Sequence, residues 1–355
     1  MSTDEAQTRA QDVERDVPRR RGSALRRAVI SLGVLALVLA ALLAGGFFVL
    51  ENRYAGNIHR VQDVFAGVNQ ASRPAPASPT APAAAPPVTF LLVGSDTRDQ
   101  IAPGQLPNSR SDAIMIARFS GDRQHAQIVS IPRDSWVDIP GYGMNKINAS
   151  YAFGGPSLLI QTVEQLTGVR IDHYAAVDFA GITKVTDDLG GVDVNVAQTT
   201  SWGPYTFHAG LNHLNGDQAR WYVGQRYGLA GGDFDREKRQ QQYLKAMFTK
   251  LFSADTFTNP AKLDPALRAV TGAVAVDSTL GNSDLLGLAY SLRNLRPSSI
   301  DFLTAPVLGT GMEGAASVVY LDQTTGARMW GYLKTDSLGQ NAGEFSAQSL
   351  PDVPN

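Results

Sequence analysis

Read for the spacing of apolar positions, the chain begins polar, crosses one long apolar run, and then alternates short strand-like and helix-like segments. Residues 28–50 are 23 uncharged positions rich in Leu, Val and Ala. At 1.5 Å rise per residue, such a run spans a hydrocarbon core of about 30 Å. It predicts a single transmembrane helix. The alternative, a cleaved signal peptide, calls for a shorter apolar region, although the small residues in 41–46 could form a cleavage site. Arg19, Arg20, Arg21, Arg26 and Arg27 precede the run and Glu51 follows it. The positive-inside rule then sets the N-terminus in the cytoplasm and everything after residue 50 outside the cell membrane. Residues 1–27, of mixed charge and without periodicity, read as a disordered cytoplasmic tail.

Residues 51–70 form a juxtamembrane segment with weak helical spacing at Ile58, Val61, Val64 and Phe65. Residues 71–88 are rich in Pro and Ala, which favours extended polyproline over packed structure and predicts a spacer reaching up to about 40 Å. Beyond it, residues 88–93 (VTFLLV), 113–119 (AIMIARF) and 126–131 (AQIVSI) have the short apolar or β-branched runs of buried strands. Residues 156–168 carry Pro at a helix start, apolar Leu159, Ile160, Val163 and Leu166, and a Gly stop. Residues 179–189 repeat the helical pattern before Gly190 and Gly191, and 192–196 (VDVNV) return to strand. Further helices are expected over 283–292 and 325–334, and a strand over 300–303. Alternation of this kind predicts a three-layer α/β/α domain around a central mixed sheet, covering residues 89–335. Residues 336–355 read as a flexible tail.

Composition narrows the chemistry. Across 355 residues, 31 Lys and Arg face 33 Asp and Glu, for a net charge of −2, so no overall positive field exists to hold nucleic acid. The absence of Cys excludes disulfides, zinc thiolates and Cys nucleophiles. The sequence contains no GxxxxGK[ST], GxGxxG after a strand, GxSxG or HExxH, and its five histidines lack metal-ligand spacing. What remains are acid and arginine clusters near strand ends, where open α/β sheets bind ligands. Asp96 and Arg98 follow the first strand in LLVGSDTRD, Arg110 and Asp112 lead into the second, Arg133 and Asp134 close the third, and Lys146 follows a Gly-rich loop. If the loops converge, two carboxylates face several cations, a set suited to a Mg²⁺-bridged phosphate or pyrophosphate. Surface ion pairing explains each cluster equally well when it is taken singly. In DFDREKRQQQYLKAMF (233–248), Arg236, Arg239 and Gln240 share a helix face opposite an apolar stripe, and that face also reads as a solvated one. Arg226 lies just upstream.

Taken in order, LLVGSDTRD, RSD, SIPRD, KINASYAFGG, DFAGITKVTDDLGGVDV, LNGDQA and GDFDREKRQQ resemble the LytR-CpsA-Psr family over residues 89–250, with weaker similarity to about 335. The resemblance implies an α/β/α domain outside the membrane. It also implies transfer of a glycopolymer from an undecaprenyl-pyrophosphate carrier to peptidoglycan, forming a phosphodiester. Carried over by motif, Asp96 and Asp112 would hold Mg²⁺, and Arg133 would act with them in catalysis. Arg110, Arg133, Lys146, Arg226, Arg236, Arg239 and Gln240 would bind the pyrophosphate. The polyprenyl chain would enter an apolar pocket, for which Leu159, Val163 and Ile182 are candidates alongside ordinary core packing. For a general base, Asp96 and Asp134 stand equal. Gly224 departs from the family pattern, which commonly has Arg there. A membrane-anchored regulator that binds prenyl-pyrophosphates without turnover, or a plain pyrophosphatase, is the competing reading.

Overall fold

Buried β-branched and aromatic runs give the fold its central sheet. In the computed structural model the described residues are 53–79, 84–95, 111–225, 227–253, 256 and 259–354. The expected cytoplasmic tail and membrane helix therefore lie outside the described residues, as do Asp96, Arg110 and Arg226. No helix among the described residues is long and apolar enough to cross a membrane. In chain order the strands are β1 (His59–Val61), β2 (Val88–Ser95), β3 (Ser111–Phe119), β4 (Ala126–Ser130), β5 (Trp136–Ile139), β6 (Gly143–Lys146), β7 (His173–Asp178) and β8 (Val192–Val196). They continue as β9 (Thr200–Trp202), β10 (Tyr205–Phe207), β11 (Gly210–Leu214), β12 (Val274–Asp277), β13 (Ile300–Thr304), β14 (Val307–Glu313) and β15 (Ala316–Leu321). The helices are α1 (Ile147–Thr167), α2 (Phe179–Asp188), α3 (Gly216–Gly224), α4 (Asp233–Leu251), α5 (Pro260–Ala273), α6 (Asn282–Ser291) and α7 (Gln323–Lys334).

Seven strands form one mixed sheet in the order β1-β12-β7-β2-β3-β4-β13. β2 runs parallel to β7 and antiparallel to β3, and β4 runs parallel to β13. Successive side chains enter opposite layers. Leu91, Val93, Ile114, Ile116 and Val129 join a core with Leu159 and Val163 of α1 and with Met329 and Leu333 of α7. Phe90, Met115, Ala117, Ile128 and Phe302 join another with Leu244 and Phe248 of α4 and Leu285 and Leu288 of α6. The expected three-layer architecture is thus present. α1 begins earlier than its pattern predicts and breaks at Gly154–Gly155, where Gly155 has φ 62° and ψ −156°, a combination confined to glycine, before Pro156 restarts it.

Two expected boundaries need correction. The segment before the prolines belongs to the domain: β1 forms the sheet edge beside β12, and Val64 and Val68 are buried in the core. Both ends of the Pro-rich stretch are fastened as well. Arg73 pairs with Glu164 at 2.8 Å, both side chains nearly inaccessible, and stacks 4.9 Å over Phe65. Arg123 donates to the Pro86 carbonyl at 2.8 Å. The described parts of the stretch, at Arg73 and at Pro86, are thus held on the same domain, which a free spacer would not be. Removing one partner of a buried ion pair strands the other charge, so Arg73→Ala should cost about 3 kcal/mol, read as a lower denaturation midpoint. The C-terminal residues are not loose either. Leu338 and Phe345 are fully buried, the Leu350 amide donates to the Phe302 carbonyl at 2.9 Å, and Ser349 bridges to Leu303. The apolar residues that fix this segment are too widely spaced to form a period.

Candidate active site

The C-terminal ends of β2, β4, β7 and β13 share one edge of the sheet, because these four strands run parallel to one another. At that edge β3 carries a bulge: Ser95 pairs with Ser111 and Gly94 with Ala113, leaving Asp112 as the extra residue. Bulges commonly re-aim a residue at a sheet rim. The chain after β4 is pinned on three sides. The Pro132 carbonyl accepts from both the amide and the hydroxyl of Ser135, the Asn148 amide donates to the Arg133 carbonyl, and the Val319 amide donates to the Asp134 carbonyl. Arg133 and Asp134 are thereby held against the start of α1 and against β15.

α4 starts at this same edge. Its first-turn Asp233 sits between two arginines, at 2.7 Å from Arg133 Nε and 2.8 Å from Arg236 Nη2. Asp134 accepts from Lys146 Nζ at 3.0 Å. These groups surround a cleft of about 240 Å³, lined by Arg133, Asp134, Asp233, Arg236, Glu237 and Gln240, with Thr310, Ser317 and Val318 of the β14–β15 hairpin closing it. Two arginines beside a helix N-terminus suit a phosphorylated ligand, with the carboxylates of Asp134 and Asp233 held by Lys146 and by the arginines themselves. Burial pushes the Glu237 carboxyl up to about 7; hydrogen bonds from Thr304 and Ser130 and the charge of Arg236 oppose that shift, and Asp233 reinforces it.

The cleft adjoins a second, almost wholly apolar cavity of about 130 Å³ between the sheet and helices α2, α4 and α5. Ala113, Met115 and Gln240 line both. Ile182 lines the apolar cavity, as the sequence suggested. Leu159 and Val163 do not: they are fully buried in the core on the opposite face of the sheet.

Of the residues singled out by sequence, Arg133, Arg236 and Gln240 meet at the cleft, and Lys146 reaches it through Asp134. The solvated reading of the α4 face fails, since Arg236, Arg239 and Gln240 are all buried. Arg239 has a different setting. It donates to Gln225 Oε1 at 2.5 Å and Thr200 Oγ1 at 2.9 Å, and stacks 4.6 Å over the Tyr222 ring, beneath the lobe formed by β8–β11 and α3. Asp112 lies at the rim by its backbone; the Asp96, Arg110 and Arg226 expectations fall outside the described residues. Sequence reasoning missed Asp233, Glu237 and the β14–β15 wall. The only trace of Asp233 was its position in the first turn of a helix, and Glu237 looked like one more charge in DREKRQ. A Cβ added at Gly224 would meet no atom within 4 Å, so the position has open space for a side chain.

A polar cleft with two arginines at the strand ends, joined to an apolar slot on a mixed sheet with helices on both faces, defines an α/β/α ligand-binding domain. Residues 59–335 match the model of the LytR_cpsA_psr family, and the chain belongs to that family. It is similar to the cell wall biosynthesis protein LcpA of Corynebacterium glutamicum, at 35% identity over 277 residues, covering 66% of this chain and 53% of LcpA. It is also similar to the polyisoprenyl-teichoic acid–peptidoglycan teichoic acid transferase TagU of Enterococcus faecalis, at 34% identity over 205 residues, covering 58% of this chain and 66% of TagU. The match thus spans about half to two thirds of the length of these relatives. Among solved structures, TagV of B. subtilis superposes with a TM-score of 0.60 at 28% identity, covering 71% of this chain and 97% of TagV.

Proposed function

We propose that this protein transfers a glycopolymer from a polyprenyl-pyrophosphate carrier to peptidoglycan, forming a phosphodiester. One observation carries the reading: the cleft that holds Arg133 and Arg236 and the apolar slot meet at Gln240, Ala113 and Met115, as a ligand with a diphosphate head and an isoprenoid tail requires. The relatives' names point the same way. Arg133 and Arg236 would hold the diphosphate, with Lys146 offsetting the negative charge of Asp134 beside them. Ile182, Leu244 and Met247 would line the path of the first isoprene units. Outward topology would follow from an anchor at residues 28–50.

A Mg²⁺ ion on the diphosphate is part of this reading. Among the described residues no cluster of three or more His, Cys, Asp or Glu could hold a metal by itself, but Mg²⁺ usually takes one or two carboxylates and completes its shell with phosphate oxygens and water. Asp112 at the bulge, and Asp96 one residue past the end of β2, would supply those carboxylates. When bound, the ion would neutralise charge on the diphosphate. The chain's arginines would do the rest by preorganised electrostatics, since phosphoryl transfer depends chiefly on positioning and charge stabilisation.

The test uses the full-length protein in detergent with Mg²⁺, a polyprenyl-pyrophosphoryl sugar and a peptidoglycan oligomer, with products read by mass spectrometry. A sugar-phosphate adduct on the glycan, lost in Asp112→Ala, is expected. Sugar phosphate released without an adduct would identify a pyrophosphatase, and tight donor binding without product a regulator. In the same assay Gly224→Arg should leave the melting temperature unchanged or slightly raised, because Arg is the better helix former and has room. It should lower the donor KM several-fold; an unchanged KM would mean that position 224 does not face the diphosphate.

A further inference from the structure

A third cavity, of about 420 Å³, shares Gly231, Phe234 and Glu237 with the cleft. Its other walls include Lys238, Gln241, Thr304 and the C-terminal residues 347–350. Two of its wall residues, Glu237 and Gln241, each carry an Oε1 atom that is closed off from solvent and has no hydrogen-bond partner among the described residues. The Gln241 amide cannot simply be flipped: its Nε2 donates to the Leu303 carbonyl at 2.9 Å, which can only accept, and to Ser130 Oγ at 2.7 Å. The two oxygens belong to residues four apart on α4, one turn from each other. The wall also holds the carboxylates of Asp235 and Glu237 and the polar side chains of Thr304, Gln348 and Ser349, so the cavity suits an uncharged ligand rich in donors. A phosphate, which brings only acceptors and negative charge, does not suit it. The one cation in its wall, Lys238, is already paired with Asp235 at 3.1 Å.

We propose that this cavity seats the acceptor glycan through its hydroxyl and amide donors, and that Glu237, standing between the cavity and the cleft, takes the proton of the attacking hydroxyl. The inference rests on the transferase reading. In the step, the glycan hydroxyl oxygen bonds to the sugar-linked phosphorus, and the bond from that phosphorus to the bridging oxygen breaks. Polyprenyl phosphate leaves, and the proton passes to the Glu237 carboxylate. The charged groups that line the cleft and the cavity with Glu237 are Asp233, Asp235, Arg236 and Lys238 on its own helix and Arg133 and Asp134 after β4; Ser130, Thr304 and the residues 347–350 present no charge. Of the two bases the sequence left equal, Asp96 lies outside the described residues and Asp134 is engaged by Lys146. A carboxyl that ionises near neutrality is well matched to general-base work.

The experiment uses the full-length protein in detergent, with donor and acceptor concentrations varied independently. Glu237→Gln should lower kcat about 100-fold, leave the donor KM within twofold, and abolish the rise in kcat as pH passes 7. Ala347→Trp, an exposed substitution on the cavity wall, should raise the acceptor KM about 10-fold with little change in kcat. A wild type that transfers while both variants stay within twofold would overturn the inference and leave the transferase reading intact. Should the wild type not transfer, binding of a peptidoglycan disaccharide-peptide is measured directly. Binding that Ala347→Trp weakens at least 10-fold would support the cavity and overturn the base role, and absence of binding would overturn both.

Discussion

Arg133→Ala should reduce transfer by two to three orders of magnitude while leaving the fold intact. The guanidinium lines the cleft and meets Asp233 through Nε at 2.7 Å and Nη2 at 3.4 Å. Its side chain is partly exposed on the cleft side, and the turn that presents it is held by backbone bonds that Ala preserves. Arg236 still satisfies Asp233 in the variant. The melting temperature should therefore move by no more than a surface change of about 0.5 kcal/mol implies. Removal of one preorganised charge donor in a water-poor site typically costs 10²–10³ in rate, the basis of the expected loss. Arg133→Lys should recover only part, because an ammonium supplies a point charge where a planar fork could span two oxygens. Rates with a labelled lipid-pyrophosphate donor, alongside thermal melts, decide the matter. Activity within threefold of wild type would remove the cleft as the phosphate site.

The parts of this molecule that were legible in the sequence are those whose environment is uniform along the chain. β2, β3 and β4 lie between two layers and read as unbroken apolar runs; α2 and the second half of α1 bury one stripe and end in glycines with left-handed φ. β1, at the sheet edge, and β12, beside it, were not legible, since three or four residues leave no period to detect. The prolines at 71–88 describe only the local stiffness of the backbone. That Arg73 and Pro86 fasten the stretch depends on Glu164 and Arg123, far away in the chain. The site divides in the same way. Each acid and arginine cluster could be found, but the meeting of Arg133 with Asp233, 100 residues apart, follows from sheet topology. Glu237 has no local signature at all. Its raised pKa comes from burial beside Ser130 and Thr304, which belong to two other strands.

Helical spacing explains why Arg239 was grouped with the cleft residues and why the structure separates it. At 3.6 residues per turn, Arg236 and Gln240 project about 40° apart, whereas Arg239 lies about 100° from Gln240, on the other side of Arg236. That rotation takes it out of the cleft, whose lining includes the other two, and under the neighbouring lobe. There it is fully buried, bonded to Gln225 and Thr200, and stacked against Tyr222, with Phe207 5.9 Å away. Burial lowers its pKa, opposed by the nearby Tyr222 and Asp235. Arg239→Ala should thus act on stability. It leaves Gln225 Oε1 with only the Thr200 hydroxyl at 3.3 Å, takes the guanidinium donor from Thr200 Oγ1 and unpacks two aromatic rings, at a cost of about 4 kcal/mol. At roughly 2–4 °C per kcal/mol for a domain of this order of size, the melting temperature should fall by about 10 °C. Arg239→Met, which keeps most of the volume, should recover the packing share but not the polar one. In whatever fraction remains folded, the donor KM should match wild type, in contrast to Arg236→Ala, which should raise it. An Arg239→Ala protein that melts normally yet fails to bind donor would return this arginine to the phosphate site.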